Sequence, residues 1–274
     1  MAELLATSDL HVGHPENRAL VERIEPRSPG DWLIVAGDVG ERLPDIEWAL
    51  RTLAGRFAKV FWAPGNHELW TPPGEEDGPR GVERYRHLVD MCRSLGVRTP
   101  EDPYEVWEGP GGPVTIVPMF LLYDYTFRPD GATTKEEGLA IAHRSGIVCT
   151  DERFLHPDPY PSREAWCEAR LAETRRRLEE RPAGVRTVLV NHWPLIREPT
   201  RVLWYPEFAQ WCGTVHTDDW HVRYDAKAVV YGHLHIPRTI ERDGVPFVEV
   251  SLGYPREWRR RGTPPVLRPV FPEP

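Results

Sequence analysis

Apolar residues along the chain gather into short runs that stop abruptly at polar, chemically capable positions. Glu3 to Ser8, Trp32 to Ala36 and Phe57 to Trp62 have the length and continuous apolar character of strands buried on both faces. The first runs into Asp9-Leu10-His11, the second into Gly37-Asp38 and the third into Gly65-Asn66-His67-Glu68. Between them, Pro15 to Ile24 and Leu43 to Leu53 carry helical spacing, and Pro15 suits a first helical turn. The pattern returns later, where Val185 to Val190 delivers Asn191-His192 and Lys227 to Tyr231 delivers Gly232-His233-Leu234-His235. Strand, helix, strand with polar groups after each strand predicts a parallel α/β sheet with a site along one edge.

The middle of the chain is read more coarsely. Val82 to Leu95 is predicted as an amphipathic helix, Tyr104 to Trp107 and Val114 to Phe120 as short strands, and Ser162 to Arg181 as a helix opened by a capping serine. Pro237 to Glu241 and Phe247 to Ser251, with Asp243-Gly244 between them, predict a hairpin. The Pro-, Gly- and charge-rich stretches within residues 71–161 predict a cap or substrate-facing excursion, because they are long for a passive connection. Arg201 to Thr214, dense in aromatics, is expected to wall a pocket, with Trp204 and Tyr205 as candidate contacts beside Tyr123 and Asp124. The Pro- and Arg-rich tail over residues 259–274 is expected to be peripheral, and the 274 residues are read as one domain.

Composition narrows the class. A chain that is 40% apolar and 28% charged has the make-up of a globular protein. Its net charge of -8 argues against general affinity for nucleic acid or membrane, since both reward a basic surface. No stretch approaches the ~20 apolar residues of a spanning helix, and the first residues lack a basic leader, so a cytoplasmic location is expected. Cys92, Cys149, Cys167 and Cys212 are widely spaced and are expected to be reduced and buried.

Five strand ends thus present Asp9 with His11, Asp38, Asn66 with His67, His192, and His233 with His235. Carboxylate and amide oxygens mixed with imidazoles, without a thiolate, suit manganese, iron or zinc. In this order the chain resembles the calcineurin-like metallophosphoesterases, whose blocks Asp-x-His, Gly-Asp, Gly-Asn-His-Asp/Glu, His and Gly-His-x-His stand here as Asp9-Leu10-His11, Gly37-Asp38, Gly65-Asn66-His67-Glu68, His192 and Gly232-His233-Leu234-His235. The resemblance implies a four-layer αββα sandwich of two mixed sheets flanked by helices. It also implies two divalent ions, one on Asp9, His11, Asp38 and His235, the other on Asp38, Asn66, His192 and His233. Manganese is the first expectation, with iron, zinc or nickel as alternatives. His67 is expected to protonate the leaving oxygen or stabilise charge there, as an imidazole titrating near neutral pH can. Glu41 and Arg42 stand where the family's protein-phosphatase branch has an acid that orients this histidine and an arginine that holds phosphate. His14 lies near enough in sequence to support the site, and Glu68 is expected to fix its own loop.

A lone histidine is more often structural than a ligand, so His87, His143, His156, His216 and His221 are left outside the site. The leading expectation is a phosphatase acting on a small phosphorylated metabolite through attack of a metal-bridging hydroxide, with a small-molecule phosphoester as its one partner. The alternative is a phosphodiesterase on cyclic nucleotides or other diesters. A protein phosphatase, a nuclease and a non-catalytic binding module rank below these.

Overall fold

The computed structural model describes residues 1–181, 183–262 and 266–271. Its strands are β1 (Leu4–Thr7), β2 (Trp32–Val35), β3 (Lys59–Trp62), β4 (Glu105–Trp107), β5 (Val114–Pro118), β6 (Arg186–Val190), β7 (Ala226–Tyr231), β8 (Thr239–Arg242), β9 (Val245–Glu249) and β10 (Arg268–Pro269). They form two sheets, ordered β10-β1-β2-β3 and β4-β5-β6-β7-β9-β8. Within them β1, β2 and β3 run parallel, as do β5, β6, β7 and β9, while β10, β4 and β8 join as antiparallel edges.

Alternation of side chains along each strand explains why the runs read as continuously apolar. Leu4, Ala6, Ile34, Ala36 and Phe61 meet Val114, Ile116, Val188, Val190, Ala228 and Val230 between the two sheets. Their neighbours Leu5, Leu33, Val35, Val60 and Trp62 belong to the second cluster, which also holds Ile46 and Leu50 of the helix Leu43–Ala54 and Leu88 of the helix Gly81–Ser94. Leu189, Val229 and Tyr231 share that cluster with Trp166 and Leu171 of the helix Arg163–Glu179. Helix, sheet, sheet, helix is the expected four-layer arrangement. At the site end, a parallel bridge between Ser8 and Ser251 ties one sheet to the other.

The excursion is more helical than its composition suggested. Lys135–Arg144 is a helix capped by Thr134, whose Oγ1 accepts from Glu137 N at 3.2 Å while the Glu137 carboxylate accepts from Thr134 N at 3.2 Å. That Thr-x-x-Glu capping box is present in the sequence, but the Gly and charge around it mask the helix behind it. Asp151–Phe154 adds one turn, and Trp70 and Leu155 form an antiparallel bridge that draws this segment against the end of the Asn66–Leu69 helix.

The tail differs from expectation too. Arg268–Pro269 pairs with Leu5 and Ala6, and Val270 is buried between the sheets, so this part of the tail is sheet edge and core. Residues 263–265 and 272–274 of that expected peripheral stretch lie outside the described residues. All four cysteines are buried and unpaired. No described helix is long and apolar enough to cross a membrane.

Candidate metal centre

The candidate ligands all follow the carboxyl ends of parallel strands, on loops that bend sharply. Spacing suggested that Asp9 and His11 would share one side of an extended segment. Instead β1 ends at Thr7, and both residues sit in the left-handed region, with φ of 52° and 41°. Asp38, His233 and His235 do the same, at 55°, 71° and 55°. Such conformations cost energy in non-glycine residues and persist where the surroundings over-determine them. Here the β1 and β2 loops are laced together by Asp9 N to Gly37 O at 2.9 Å, His11 N to Asp38 O at 3.0 Å and Val12 N to Val39 O at 2.9 Å. Gly65 is required because a Cβ there would collide with the Asp38 carboxylate, and Gly232 because one would collide with Asp9.

Two groups of donor atoms converge. In the first, His235 Nε2 lies 3.0 Å from Asp9 Oδ1 and 3.2 Å from His11 Nε2, and His11 Nε2 lies 3.9 Å from Asp38 Oδ2. In the second, Asn66 Oδ1, His192 Nε2 and His233 Nδ1 are 3.2 Å apart on every side, with Asp38 Oδ2 3.4 Å from His192 Nε2. Ligand atoms ~2.1 Å from one ion sit about 3.0 to 3.4 Å from each other, so both groups have the spacing of a coordination shell. Outer partners orient the rings. His192 Nδ1 faces the Ala36 carbonyl at 2.8 Å and donates to it, which turns the Nε2 lone pair inward. His235 Nδ1 likewise faces Glu257 Oε2 at 2.7 Å, leaving Nε2 for the cluster. The donor set therefore fits two divalent ions, with Asp38 common to both groups.

Electrostatics describe a site built for positive charge. Burial alone would lower the His192 pKa, but the Asp38 carboxylate outweighs it and pushes the ring up to about 9. His235 is raised well above the ordinary value against the same burial penalty, by Asp9 and then Glu257. Burial and the neighbouring His192 drive His233 down to about 3. Burial and Asp38 push Glu68 up to about 7, and its carboxylate accepts from the backbone N of Asp38, Val39 and Gly65 at 2.9, 3.0 and 3.0 Å. Glu68 thus clamps the third strand's loop to the second's.

His67 stands beside the clusters. Its Nδ1 is 2.8 Å from Glu41 Oε1, and its Nε2 lies 3.8 Å from Asp38 Oδ2. Burial would lower its pKa, but Asp38 and Glu41 raise it. The Trp70 indole packs on its ring at 3.7 Å between centroids. Glu41 thus lies against the ring of His67. Arg42 does not: it is exposed, donates to Pro73 O at 3.3 Å and lies 3.7 Å from Glu75, so its guanidinium is engaged by the 71–80 loop and not by the donor clusters. His14 is exposed; its ring meets the edge of Tyr254 at 5.6 Å and its backbone N donates to the His11 carbonyl at 3.0 Å.

The expected pocket residues fare worse. Tyr123 is fully buried among Tyr125 and Trp193, which makes it core. Asp124 directs its carboxylate to Thr126 N and Thr214 Oγ1 at 3.1 and 2.8 Å, closing a turn. Trp204 and Tyr205 project into solvent, at 94% and 61% exposure. Phe208, from the same segment, does reach the site by stacking on His233 at 6.0 Å. None of His87, His143, His156, His216 and His221 joins a metal-type cluster among the described residues.

Several contributors escape sequence reasoning. Tyr254 stacks on His11 at 4.4 Å and places its hydroxyl 3.4 Å from His67 Nε2. Glu257 orients His235, and Ser251 donates to Asp9 Oδ2 at 2.7 Å. All three follow β9, whose parallel pairing with β7 brings its carboxyl end to the same edge. A serine, tyrosine or glutamate after a strand is too common to flag alone. The signal for them lies in the strand itself, because an apolar run such as Phe247 to Ser251 that pairs in parallel with β7 delivers its carboxyl end to the site.

The calcineurin-like phosphoesterase family matches the chain over residues 2–237. The acyl-carrier-protein phosphodiesterase PptH of Mycobacterium tuberculosis is 58% identical over 271 residues, which cover 99% of this chain and 84% of that protein. The crystal structure of the phosphopantetheinyl hydrolase PptH from Mycobacterium tuberculosis superposes with a TM-score of 0.97 at 58% identity, over 100% of this chain and 97% of that one.

Proposed function

The chain belongs to the calcineurin-like phosphoesterases and is a phosphoric ester hydrolase, and from that premise we propose that it hydrolyses a phosphodiester carried on a protein, releasing a phosphopantetheinyl group. The observation that carries this reading is 58% identity sustained over 99% of the chain to a phosphodiesterase named for acyl carrier protein. It corrects two expectations. A monoester phosphatase gives way to the diester alternative, in a protein-borne form instead of a cyclic nucleotide. A small-molecule phosphoester as the one partner is overturned, because a relative this similar is named for a protein substrate.

Asp9, His11, Asp38 and His235 would hold one divalent ion, and Asp38, Asn66, His192 and His233 the second. Bound there, the pair supplies Lewis acidity at the phosphoryl oxygens and a nucleophile at neutral pH. Manganese, iron, zinc and nickel all suit the mixed oxygen and nitrogen donors, and we place manganese first. In the hydrolysis a water oxygen bonds to phosphorus, the bond from phosphorus to the protein's oxygen breaks, and that oxygen takes up a proton. His67 is the group positioned to give it. Glu41 holds the Nδ1 side, leaving Nε2 aimed at the cluster, and the Asp38 and Glu41 carboxylates favour the protonated ring against the burial that opposes it. Trp70 on one face and Tyr254 near Nε2 confine the ring. Four buried, unpaired thiols suit a reducing compartment, and we place the protein in the cytoplasm on that ground.

The first test compares a diester and a monoester with a common leaving group after metal removal and readdition. Diester turnover is expected to exceed monoester turnover by ~10-fold or more in kcat/KM, a gap of about 1.4 kcal/mol in transition-state stabilisation. A monoester preference contradicts the reading.

A further inference from the structure

Asn66 presents a problem that its own backbone does not solve. An amide can coordinate through oxygen but not through its NH2 group, and the two ends are nearly the same size. Some contact must hold Oδ1 toward His192 and His233. The group that meets the other end is Asp151, whose Oδ1 accepts from Asn66 Nδ2 at 2.9 Å. A carboxylate offers only acceptors to the amide, so this pairing selects the orientation in which Nδ2 points away from the histidines. Asp151 is wholly buried, and among the described residues its Oδ2 makes no hydrogen bond of normal geometry.

The same Oδ1 also accepts from Trp70 Nε1, at 2.6 Å. Trp70 is the indole packed on His67. One oxygen atom therefore touches both the amide of a candidate ligand and the ring that backs the candidate acid. Its own position is secured by Arg163, which donates to the Asp151 and Leu155 carbonyls at 2.6 and 3.0 Å and to Glu152 Oε2 at 3.0 Å. An uncompensated buried acceptor at this place is costly, which makes it a poor packing solution and a good orienting one.

We infer that Asp151, from within the 71–161 excursion, is a positioning residue that sets the amide of Asn66 for the second ion and seats Trp70 against His67. The excursion then takes part in building the metal centre, beyond any contact it makes with substrate. The inference rests on Asn66 acting as a ligand.

The experiment measures retention of each ion by chelator competition in the full-length protein loaded with manganese, for Asp151→Ala, Asp151→Leu, Asp151→Asn, Asn66→Ala and the double variant Asn66→Ala with Asp151→Ala. Removing an outer partner of a ligand weakens metal affinity by ~10–100-fold. That loss is expected for the more weakly held ion in Asp151→Ala, and equally in Asp151→Leu, which fills the space without an acceptor. Asp151→Asn keeps an acceptor oxygen for both donors and is expected within ~3-fold of wild type. In the Asn66→Ala background, Asp151→Ala should add nothing. Unchanged retention in Asp151→Ala or Asp151→Leu overturns the inference, as does a failure of Asp151→Asn to restore it, or an Asp151→Ala effect that persists without Asn66. If Asn66→Ala itself retains both ions, it is the ligand assignment that fails.

Discussion

Asparagine in place of Asp38 is expected to strip both ions from the protein and lower turnover by ~1000-fold or more, about 4 kcal/mol of transition-state stabilisation. The size follows from the position of one carboxylate. Oδ2 lies within 3.4 to 3.9 Å of His192, His67 and His11, which spans both donor groups. Asp38 is held well below the ordinary carboxylate range: burial opposes ionisation, and the surrounding imidazoles, His192 first, overcome it. Asparagine keeps the shape and removes the charge. Loss of a mere outer partner costs ~10–100-fold in metal affinity, so loss of a shared anionic ligand should exceed that for each ion. Elemental analysis after gel filtration reads the result directly. Two ions retained in stoichiometric amounts would contradict the shared role.

His67→Ala should behave in the opposite sense with respect to metal. Turnover is expected to fall by ~100-fold or more, the usual contribution of a general acid, while ion content stays at the wild-type level. His67 lies near enough to His11 and Asp38 to be a candidate ligand on distance alone. Its Nε2 lies 3.8 Å from Asp38 Oδ2, much as His11 Nε2 does at 3.9 Å, so the ion content of the variant is what separates proton donor from ligand. Leaving groups give a second readout. An alkyl ester needs a proton on its leaving oxygen far more than a nitrophenyl ester does, so the defect should shrink as the leaving group improves. Loss of metal together with activity, or a defect equal for both esters, would assign His67 to coordination.

The donor set was legible because its chemistry recurs at a fixed structural address. A metal site at the carboxyl edge of parallel strands leaves one polar block after each apolar run, and the runs are distinct because both faces of β1, β2, β3, β6 and β7 are buried. What escaped was set by long-range approach. Asp151 meets Asn66 across 85 positions of sequence, and Tyr254 meets His67 across 187. Their neighbours in the chain carry no periodicity that points at a metal. Aromatic residues misled for a related reason. Tyr123 and Trp204 look alike in a polar-aromatic stretch, yet one ends in the core and the other in solvent, and only the path of the backbone distinguishes them. The backbone of the ligand loops was likewise hidden, since positive φ at Asp9, His11 and Asp38 is imposed by contacts between loops and not by local propensity.

The central claim is that this metal centre breaks a diester joining a phosphopantetheinyl group to a protein. It is tested most directly by incubating a carrier protein bearing that group with the metal-loaded enzyme in oxygen-18 water, and following both products by intact mass. The account predicts that the carrier loses the whole phosphopantetheinyl mass and gains no label, while the released phosphopantetheine carries one labelled oxygen on phosphorus. A carrier of unchanged mass, under conditions where the same preparation hydrolyses a simple phosphoester, would contradict it.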